Sequence, residues 1–259
     1  MCRWVVYRGR PVYLDTLVTE PSHSLVAQSL KANEAKIETN GDGFGVGWYG
    51  EREEPGLFRE PFPAWNDDNL KSLCRQILSP FFFAHVRSST GTAVSRANCH
   101  PFVVGRWMFM HNGQVGGYHQ VRRKLENAVP EQFYRHRSGT TDSELLFLIA
   151  IALAGEGDVA GAMRQALRLA VEVMNGSGTS EPLRFTAALG NGETLHAFRY
   201  ASDGLAPSLY YKCTDGGVVV VSEPLDSDQS GAWVKVPQGA ALSFTPATDC
   251  EPVISEFVL

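Results

Sequence analysis

Residues 1–14 read MCRWVVYRGRPVYL and place a cysteine directly behind the first methionine, at the head of a run rich in β-branched and aromatic residues. Such a run predicts a β-strand. If Met1 is removed, Cys2 carries a thiol and a free α-amine, which supply a nucleophile and its base within one residue. If Met1 is kept, Cys2 is a small apolar residue. The remaining sequence has to distinguish these two interpretations.

The composition is that of an ordinary globular protein. The 259 residues carry 23 Lys and Arg against 28 Asp and Glu, a net charge of -5, which disfavours nucleic acid as a partner. The longest apolar run, residues 145–154, is too short to cross a bilayer, and the N-terminus lacks the pattern of a secretory signal. We therefore expect a cytoplasmic protein without membrane contact. Because no linker or repeat interrupts the chain, we expect a single domain over residues 1–259.

The order of the predicted elements indicates the fold class. Strand-type runs come first and last, and two long helical patterns, residues 140–155 and 158–175, lie between them. A shorter helical pattern begins at Asn66 or Asp67. Strands grouped apart from helices favour an α+β layered fold over a doubly wound one. The predicted strands are RWVVYRG (3–9), PVYLDTLV (11–18), GFGVGWYG (43–50), FFFAHV (81–86), RWMFMHNG (106–113) and, after residue 181, a hairpin around Asn191-Gly192 with further strands behind it.

The dipeptide Asn112-Gly113 allows two interpretations. Asn-Gly between apolar runs predicts a hairpin turn. An Asn side-chain amide beside a Gly backbone N–H also offers two donors to one point, as a tetrahedral oxyanion requires. Taken alone, the pattern favours the turn.

Two charged residues are candidates for binding an α-amino acid. Arg87 ends a predicted strand, where it is a surface charge or, with the hydroxyl of Thr90, a site for a carboxylate. Asp142 lies in the first turn of a predicted helix that Thr141 and Glu144 cap as a capping box. Its carboxylate either complements the helix dipole or receives an ammonium group.

Other candidate sites are disfavoured by their context. His85, Cys99, His100 and His111 lack the spacing of a metal site, so no metal is predicted. The glycines of GFGVGWYG (43–50) match a dinucleotide fingerprint in spacing, but an acidic segment ended by proline follows them instead of a helix. No cofactor is predicted. These glycines are expected to let another backbone pack closely.

Seven motifs in one order resemble the class II glutamine amidotransferase family of the N-terminal-nucleophile hydrolases, in its stand-alone branch. The resemblance implies a four-layer αββα sandwich. It implies Cys2 as nucleophile with its own amine as base, and Asn112 and Gly113 as the oxyanion donors. It implies that Arg87, assisted by Thr90, binds a carboxylate and that Asp142 binds an ammonium. The motifs are MCR (1–3), NGDGFGVGWY (40–49), PAWND (63–67), FAHVRSSTG (83–91), NCHPF (98–102), FMHNG (109–113) and GTTDSE (139–144).

The resemblance implies an enzyme that cleaves the γ-glutamyl amide bond of glutamine or of a γ-glutamyl compound. Where the family has R-W-A-T-H-G, this chain has RSSTG (87–91), which predicts a more open pocket and favours a leaving group bulkier than ammonia. Two alternatives stay open at this point. The chain delivers ammonia to a separate synthase, or it is an inactive binding or regulatory relative that retains Met1. The expected partners are a small-molecule substrate and, in some of these readings, a synthase or peptidase subunit; assembly with further copies of itself is compatible with all three.

Overall fold

Two stacked antiparallel β-sheets form the centre of the protein in a computed structural model, which describes residues 2–34, 39–89, 91–155, 157–226, 232–248 and 250–259. The first sheet, within these residues, has seven strands. In spatial order they are β11 (Val234–Lys235), β9 (Tyr210–Thr214), β10 (Gly217–Val221), β1 (Arg3–Tyr13), β4 (Leu78–Val86), β2 (Phe44–Tyr49) and β3 (Gly56–Glu60).

The second sheet has six strands within the same ranges. Its centre pairs the strand that contains Asn112 with the first strand of the Asn191 hairpin, which the sequence predicted. The order is β13 (Val253–Glu256), β12 (Ala240–Phe244), β8 (Leu195–Ala201), β7 (Arg184–Gly190), β6 (Trp107–Gln114) and β5 (Phe102–Val104).

Helices cover the outer face of each sheet. On the first sheet, Leu25 of α2 and Leu70 of α3 pack with Val5 of β1. On the second, Leu146 of α6 and Leu167 of α7 pack with Phe109 of β6. The sandwich therefore has four layers in the order α, β, β, α, as expected. The helices are α1 (Asp15–Val18), α2 (Leu25–Leu30), α3 (Asp68–Cys74), α4 (Tyr118–Glu126), α5 (Glu131–Tyr134), α6 (Asp142–Ala154) and α7 (Val159–Asn175).

Strand alternation divides the side chains between the layers. Trp4 and Val6 of β1 pack with Met108 and Met110 of β6 in the gap between the sheets. Val5, one position along, faces the helices instead. Every second residue of β1 and β6 therefore points into the inner gap. The same alternation indicates which face of the sheet the residues at the strand ends occupy.

The first strand is longer than the sequence predicts, so that prediction was wrong. Residues 3–9 and 11–18 were expected as separate strands, but β1 continues to Tyr13 through a shift of register against β4 between Arg8 and Val12. The segment after Tyr13 forms helix α1. Residues 9–11 are accommodated by this local irregularity in the pairing with β4, and the strand continues beyond them.

The hairpin prediction at Asn112-Gly113 was also wrong. Both residues lie inside β6, where Asn112 is opposite Thr186, Gly113 is opposite Phe185, and pairing continues to Gln114. A two-residue turn would reverse the chain here, and pairing with β7 overrides this local preference.

The capping box at the head of α6 forms only in part. Thr141 accepts a hydrogen bond from the Glu144 N–H at 3.2 Å, as predicted. The Glu144 carboxylate does not return to Thr141; it accepts from the N–H groups of Ser138 and Gly139, each at 2.8 Å. Glu144 therefore fixes the loop that leads into α6.

In the part of the chain that is described, none of the helices combines the length and the apolar character needed to cross a bilayer.

Candidate active site

The first residue of the described chain lies beside the end of its neighbouring strand. Arg3 of β1 is opposite Val86 of β4, so Cys2 comes next to Arg87 and Ser88. Cys2 directly precedes β1, and if the alternation of Trp4 and Val6 continues by one residue, its side chain is on the face of the inner gap. The Cys2 sulfur lies 3.6 Å from the Ser88 carbonyl oxygen and 3.5 Å from the Ser88 nitrogen.

The Cys2 thiol is a weak acid in this position. Burial raises its pKa, although the Ser88 N–H and the positive charges of Arg87 and Arg3 counteract this effect. The thiolate is the reactive form of cysteine. Because the raised pKa keeps the thiol protonated near neutral pH, catalysis by Cys2 requires a base close to the sulfur.

A buried ion pair holds the backbone of Cys2 from the helix side. The Arg3 guanidinium donates to the Cys2 carbonyl at 3.2 Å, and its Nε lies 2.9 Å from Glu223 Oε2. Glu223 also lies 2.6 Å from His23 Nε2 and accepts from the N–H groups of Asn33 and Glu34. These contacts fix the chain up to the carbonyl of Cys2.

Replacing Glu223 by glutamine is expected to lower the free energy of unfolding by about 3 kcal/mol, because Arg3 keeps its charge in a buried position without a counter-ion. Urea denaturation at pH 7 measures the loss. Burial alone raises the pKa of Glu223, but the hydrogen bonds from His23, Asn33 and Glu34 and the charge of Arg3 outweigh it, so the pKa is lower than usual.

The sign of that shift makes the difference between the two proteins depend on pH. A carboxyl group with a depressed folded pKa stabilises the fold above its unfolded pKa, about 4.3, and loses this contribution as pH falls through the folded value. The wild type and Glu223→Gln should therefore differ fully at neutral pH and converge below about pH 4. An equal difference at every pH would contradict the ionic origin of the effect.

Arg87 is a buried cation, contrary to the surface interpretation of a strand-end arginine. Its side chain is 3% exposed. The guanidinium donates to the Asp42 carbonyl at 3.2 Å and to the hydroxyls of Ser89 and Thr92 at 3.1 and 2.6 Å. Within the described ranges it forms no ion pair with a carboxylate. A buried arginine with only neutral partners favours the binding of an anion.

Asn112 is buried, and its side chain lacks hydrogen-bond partners among the described residues. It is 1% exposed, and neither Oδ1 nor Nδ2 is bonded. It has the same parity along β6 as Met108 and Met110, so it faces the inner gap from the second sheet. Buried amides are normally paired, and one left free at a site is available to a ligand.

Gly113 is required by the close packing behind it. A Cβ atom at this position would overlap the Arg184 carbonyl oxygen and would lie 2.6 Å from Nε2 of His111. No residue with a side chain fits there without moving β6 or β7. The backbone N–H beside the Asn112 amide therefore depends on glycine.

Asp142 joins the head of α6 to the end of β6. Its Oδ2 accepts from the Val115 N–H and its Oδ1 from the Ser143 N–H, each at 2.8 Å. The carboxylate lines a cavity of about 170 Å³ together with Thr92, Gln114 and Tyr118. Thr92, on the wall of this cavity, also accepts a hydrogen bond from Arg87.

The remaining predictions concern Thr90, Met1, the glycines of β2 and metal binding. Thr90, proposed to assist Arg87, and Met1 lie outside the described residues. Gly45 and Gly47 lie in β2, where added Cβ atoms would meet His100 and Met108, so these glycines serve close packing as expected. No cluster of three or more potential metal-binding side chains occurs in the described ranges.

Several functional candidates were not found from the sequence. Thr92, whose hydroxyl accepts a hydrogen bond from Arg87, was not predicted. The pair of Arg3 and Glu223 was also missed, although an arginine at the same parity as Val5 and Tyr7 in an apolar strand indicates a buried ion pair.

The sequence is similar to known proteins over nearly its whole length. The sequence profile of the class-II glutamine amidotransferases matches residues 16–209. The chain is 31% identical to the probable glutamine amidotransferase DUG3 of Saccharomyces cerevisiae, over 99% of this chain and 85% of that protein. It is also 31% identical to the gamma-glutamyl-hercynylcysteine sulfoxide hydrolase of Mycobacterium tuberculosis, over 92% of this chain and 90% of that protein.

Solved structures show the same fold. A glutamine aminotransferase class-II domain protein of Silicibacter pomeroyi superposes over the full length of both chains with a TM-score of 0.78 and 35% identity. The glutamine phosphoribosylpyrophosphate amidotransferase of B. subtilis superposes over all of this chain and 50% of that one, with a TM-score of 0.67 and 12% identity, a likeness of fold alone. By its profile match and its relatives over nearly the whole length, the chain belongs to the class-II glutamine amidotransferases.

Proposed function

We propose that this protein is an amidohydrolase that cleaves the γ-glutamyl amide bond of a small γ-glutamyl compound through a thioester on Cys2. The observation that carries the proposal is the buried, unbonded amide of Asn112, which faces the same gap between the sheets as the Cys2 sulfur. A nucleophile and a free donor on opposite walls suit the attack on a carbonyl and the binding of the resulting oxyanion.

Recognition of the γ-glutamyl group uses both ends of its α-amino acid moiety. Arg87 binds the α-carboxylate, assisted by Thr90, and Asp142 binds the α-ammonium. The support is that Asp142 and Thr92 line one cavity and that the Thr92 hydroxyl accepts a hydrogen bond from Arg87. Binding at both charges directs the γ-carbonyl toward the sulfur of Cys2.

Removal of Met1 precedes the reaction and frees the α-amine of Cys2. The raised pKa of the Cys2 thiol keeps it protonated near neutral pH. An α-amine has a pKa of about 7.7 to 8.0, so a large share of it is available as a base to accept the thiol proton. The thiolate attacks the γ-carbonyl, and Asn112 with the N–H of Gly113 stabilises the oxyanion. The C–N bond breaks as the ammonium of Cys2 protonates the leaving nitrogen. Water then hydrolyses the thioester, giving glutamate and the free thiol.

The leaving group is proposed to be larger than ammonia. One relative is named for hydrolysis of a γ-glutamyl derivative of hercynylcysteine sulfoxide, which carries a bulky amine part. The RSSTG segment, with serine where the family has tryptophan, is consistent with space for such a group.

An assay of glutamate release tests this function. It compares glutamine with a set of γ-glutamyl dipeptides and uses purified protein from which Met1 has been removed. We expect a higher kcat/KM for the dipeptides. Equal or better use of glutamine would instead support delivery of ammonia to a separate synthase. No turnover of either class, with Cys2 at the terminus, would support an inactive binding relative.

Replacing Asp142 by asparagine is expected to lower kcat/KM for γ-glutamyl substrates by about 10- to 100-fold, since a charged hydrogen bond contributes roughly 1.5 to 3 kcal/mol. Asparagine has nearly the same shape, and its oxygen still accepts from the Val115 N–H, while the NH₂ group that takes the place of Oδ1 loses the hydrogen bond from the Ser143 N–H. Glutaramate, a γ-amide without an α-amine, provides the control. Wild type and variant should use it equally poorly, and a further loss with this substrate would show that Asp142 does not bind the ammonium.

A further inference from the structure

His85 links the two sheets next to the proposed oxyanion donor. It belongs to β4, opposite Trp4 of β1, and its Nε2 lies 3.3 Å from the carbonyl oxygen of His111 in β6. A carbonyl oxygen only accepts hydrogen bonds, so Nε2 carries the proton in this contact. The acceptor belongs to the residue directly before Asn112.

The edge of β6 is open at this point. β5 pairs with β6 only from Trp107 to Phe109, and its partner of Phe109 is Phe102. From Met110 onward, no strand of the described residues pairs with that edge of β6. A histidine from the opposite sheet therefore supplies a hydrogen bond where a neighbouring strand would otherwise bind the His111 carbonyl.

The ring of His85 is fixed by its surroundings. It lies against His100 with ring centroids 4.2 Å apart, and His100 contacts Phe102 edge-on at 4.6 Å. All three side chains are buried. Burial also lowers the pKa of His85 to about 3, so its ring stays neutral at physiological pH.

We propose that His85 is a positioning residue that holds Asn112 at the correct distance from Cys2 by binding β6 to the sheet that carries the nucleophile. This inference rests on the proposed function, because Asn112 matters only if an oxyanion forms. The hydrogen bonds of the Cys2 sulfur go to Ser88, so His85 is proposed to act through Asn112 alone. Its effect is confined to the step that requires Asn112.

The variant His85→Phe keeps a planar ring against His100 and removes the donor. We expect its kcat for a γ-glutamyl substrate to fall by about 10- to 100-fold, less than for deletion of the oxyanion donor itself. KM should change little. Alkylation of Cys2 by iodoacetamide forms no oxyanion, so its rate should stay within about twofold of wild type.

Matched variants separate positioning from a general structural effect. His196, on β8, bonds instead to Ser243 at 2.8 Å, and His196→Phe should leave kcat unchanged. His85→Gln retains an amide donor of similar reach and should keep most of the activity, whereas His85→Asn is too short and should lose it. If His85→Phe fails to fold, this Gln and Asn pair carries the same comparison.

A double-variant cycle with Asn112→Ala completes the test. If His85 acts through Asn112, His85→Phe should cost no further kcat in the Asn112→Ala background. Independent, multiplying losses would overturn the proposal, as would an unchanged kcat in His85→Phe or a parallel fall in alkylation. An inactive wild type would refute the proposed function instead.

Discussion

Replacing Cys2 by alanine is expected to lower γ-glutamyl hydrolysis by roughly 10⁴- to 10⁶-fold, the range seen when a catalytic nucleophile is removed. Within the proposed site, the thioester can form only on the Cys2 sulfur. Without it, the remaining hydrogen-bond donors and charges still bind the substrate but form no covalent intermediate. Release of glutamate under saturating substrate measures the loss. Mass spectrometry after rapid acid quenching should show a γ-glutamyl adduct on the wild type and none on Cys2→Ala.

Cys74 provides the control for this substitution. It is buried in α3, burial raises the pKa of its thiol to about 12, and it packs in the core on the helix side of the first sheet. Cys74→Ala should therefore reduce stability and leave kcat unchanged. Persistent hydrolysis or a persistent adduct in Cys2→Ala would show that another nucleophile performs the reaction.

Replacing Asn112 by alanine is expected to lower kcat by about 10²- to 10³-fold with little change in KM, because the lost hydrogen bond forms only with the oxyanion. The same change should leave the free energy of unfolding unchanged or higher. The amide is buried without a partner among the described residues, and a buried unbonded polar group costs about 1 to 3 kcal/mol. Steady-state kinetics and urea denaturation of one preparation give both quantities.

Asn191 shows the opposite behaviour and serves as the control. Its side chain accepts hydrogen bonds from the N–H groups of Glu193 and Thr194 at 3.0 and 2.8 Å in the turn between β7 and β8. Asn191→Ala should lower stability by about 1 kcal/mol and leave kcat unchanged. A stability loss without a kinetic effect in Asn112→Ala would mean that Asn112 is a structural residue.

The layered fold was predictable because its strands and helices are strongly patterned. The helix from Asp142 and the hairpin at Asn191 were found where expected, since caps and turn residues act locally. The errors arose where distant chain segments override local preference. Asn112-Gly113 has the local signature of a turn, yet the pairing with β7 keeps it extended.

The candidate site was only partly predictable, for a similar reason. Cys2 and Asn112 are recognisable as residue types, but their facing positions depend on how two sheets stack. Taken alone, the sequence left Arg87 between a surface charge and a carboxylate site, because its burial depends on partners in two separate loops, Asp42 before β2 and Thr92 after β4. The sequence indicates His85 only as part of a disfavoured metal site, because its contact with a carbonyl in the other sheet depends on the fold.

The hydrogen bond from Arg3 to the Cys2 carbonyl has a practical consequence for producing the protein. It fixes the chain directly after the α-nitrogen of Cys2, so an affinity tag joined to that nitrogen has little slack with which to loop away from the pocket. The tag's peptide linkage would also convert the amine into a non-basic amide. Purification through a tag placed after Leu259 avoids both problems.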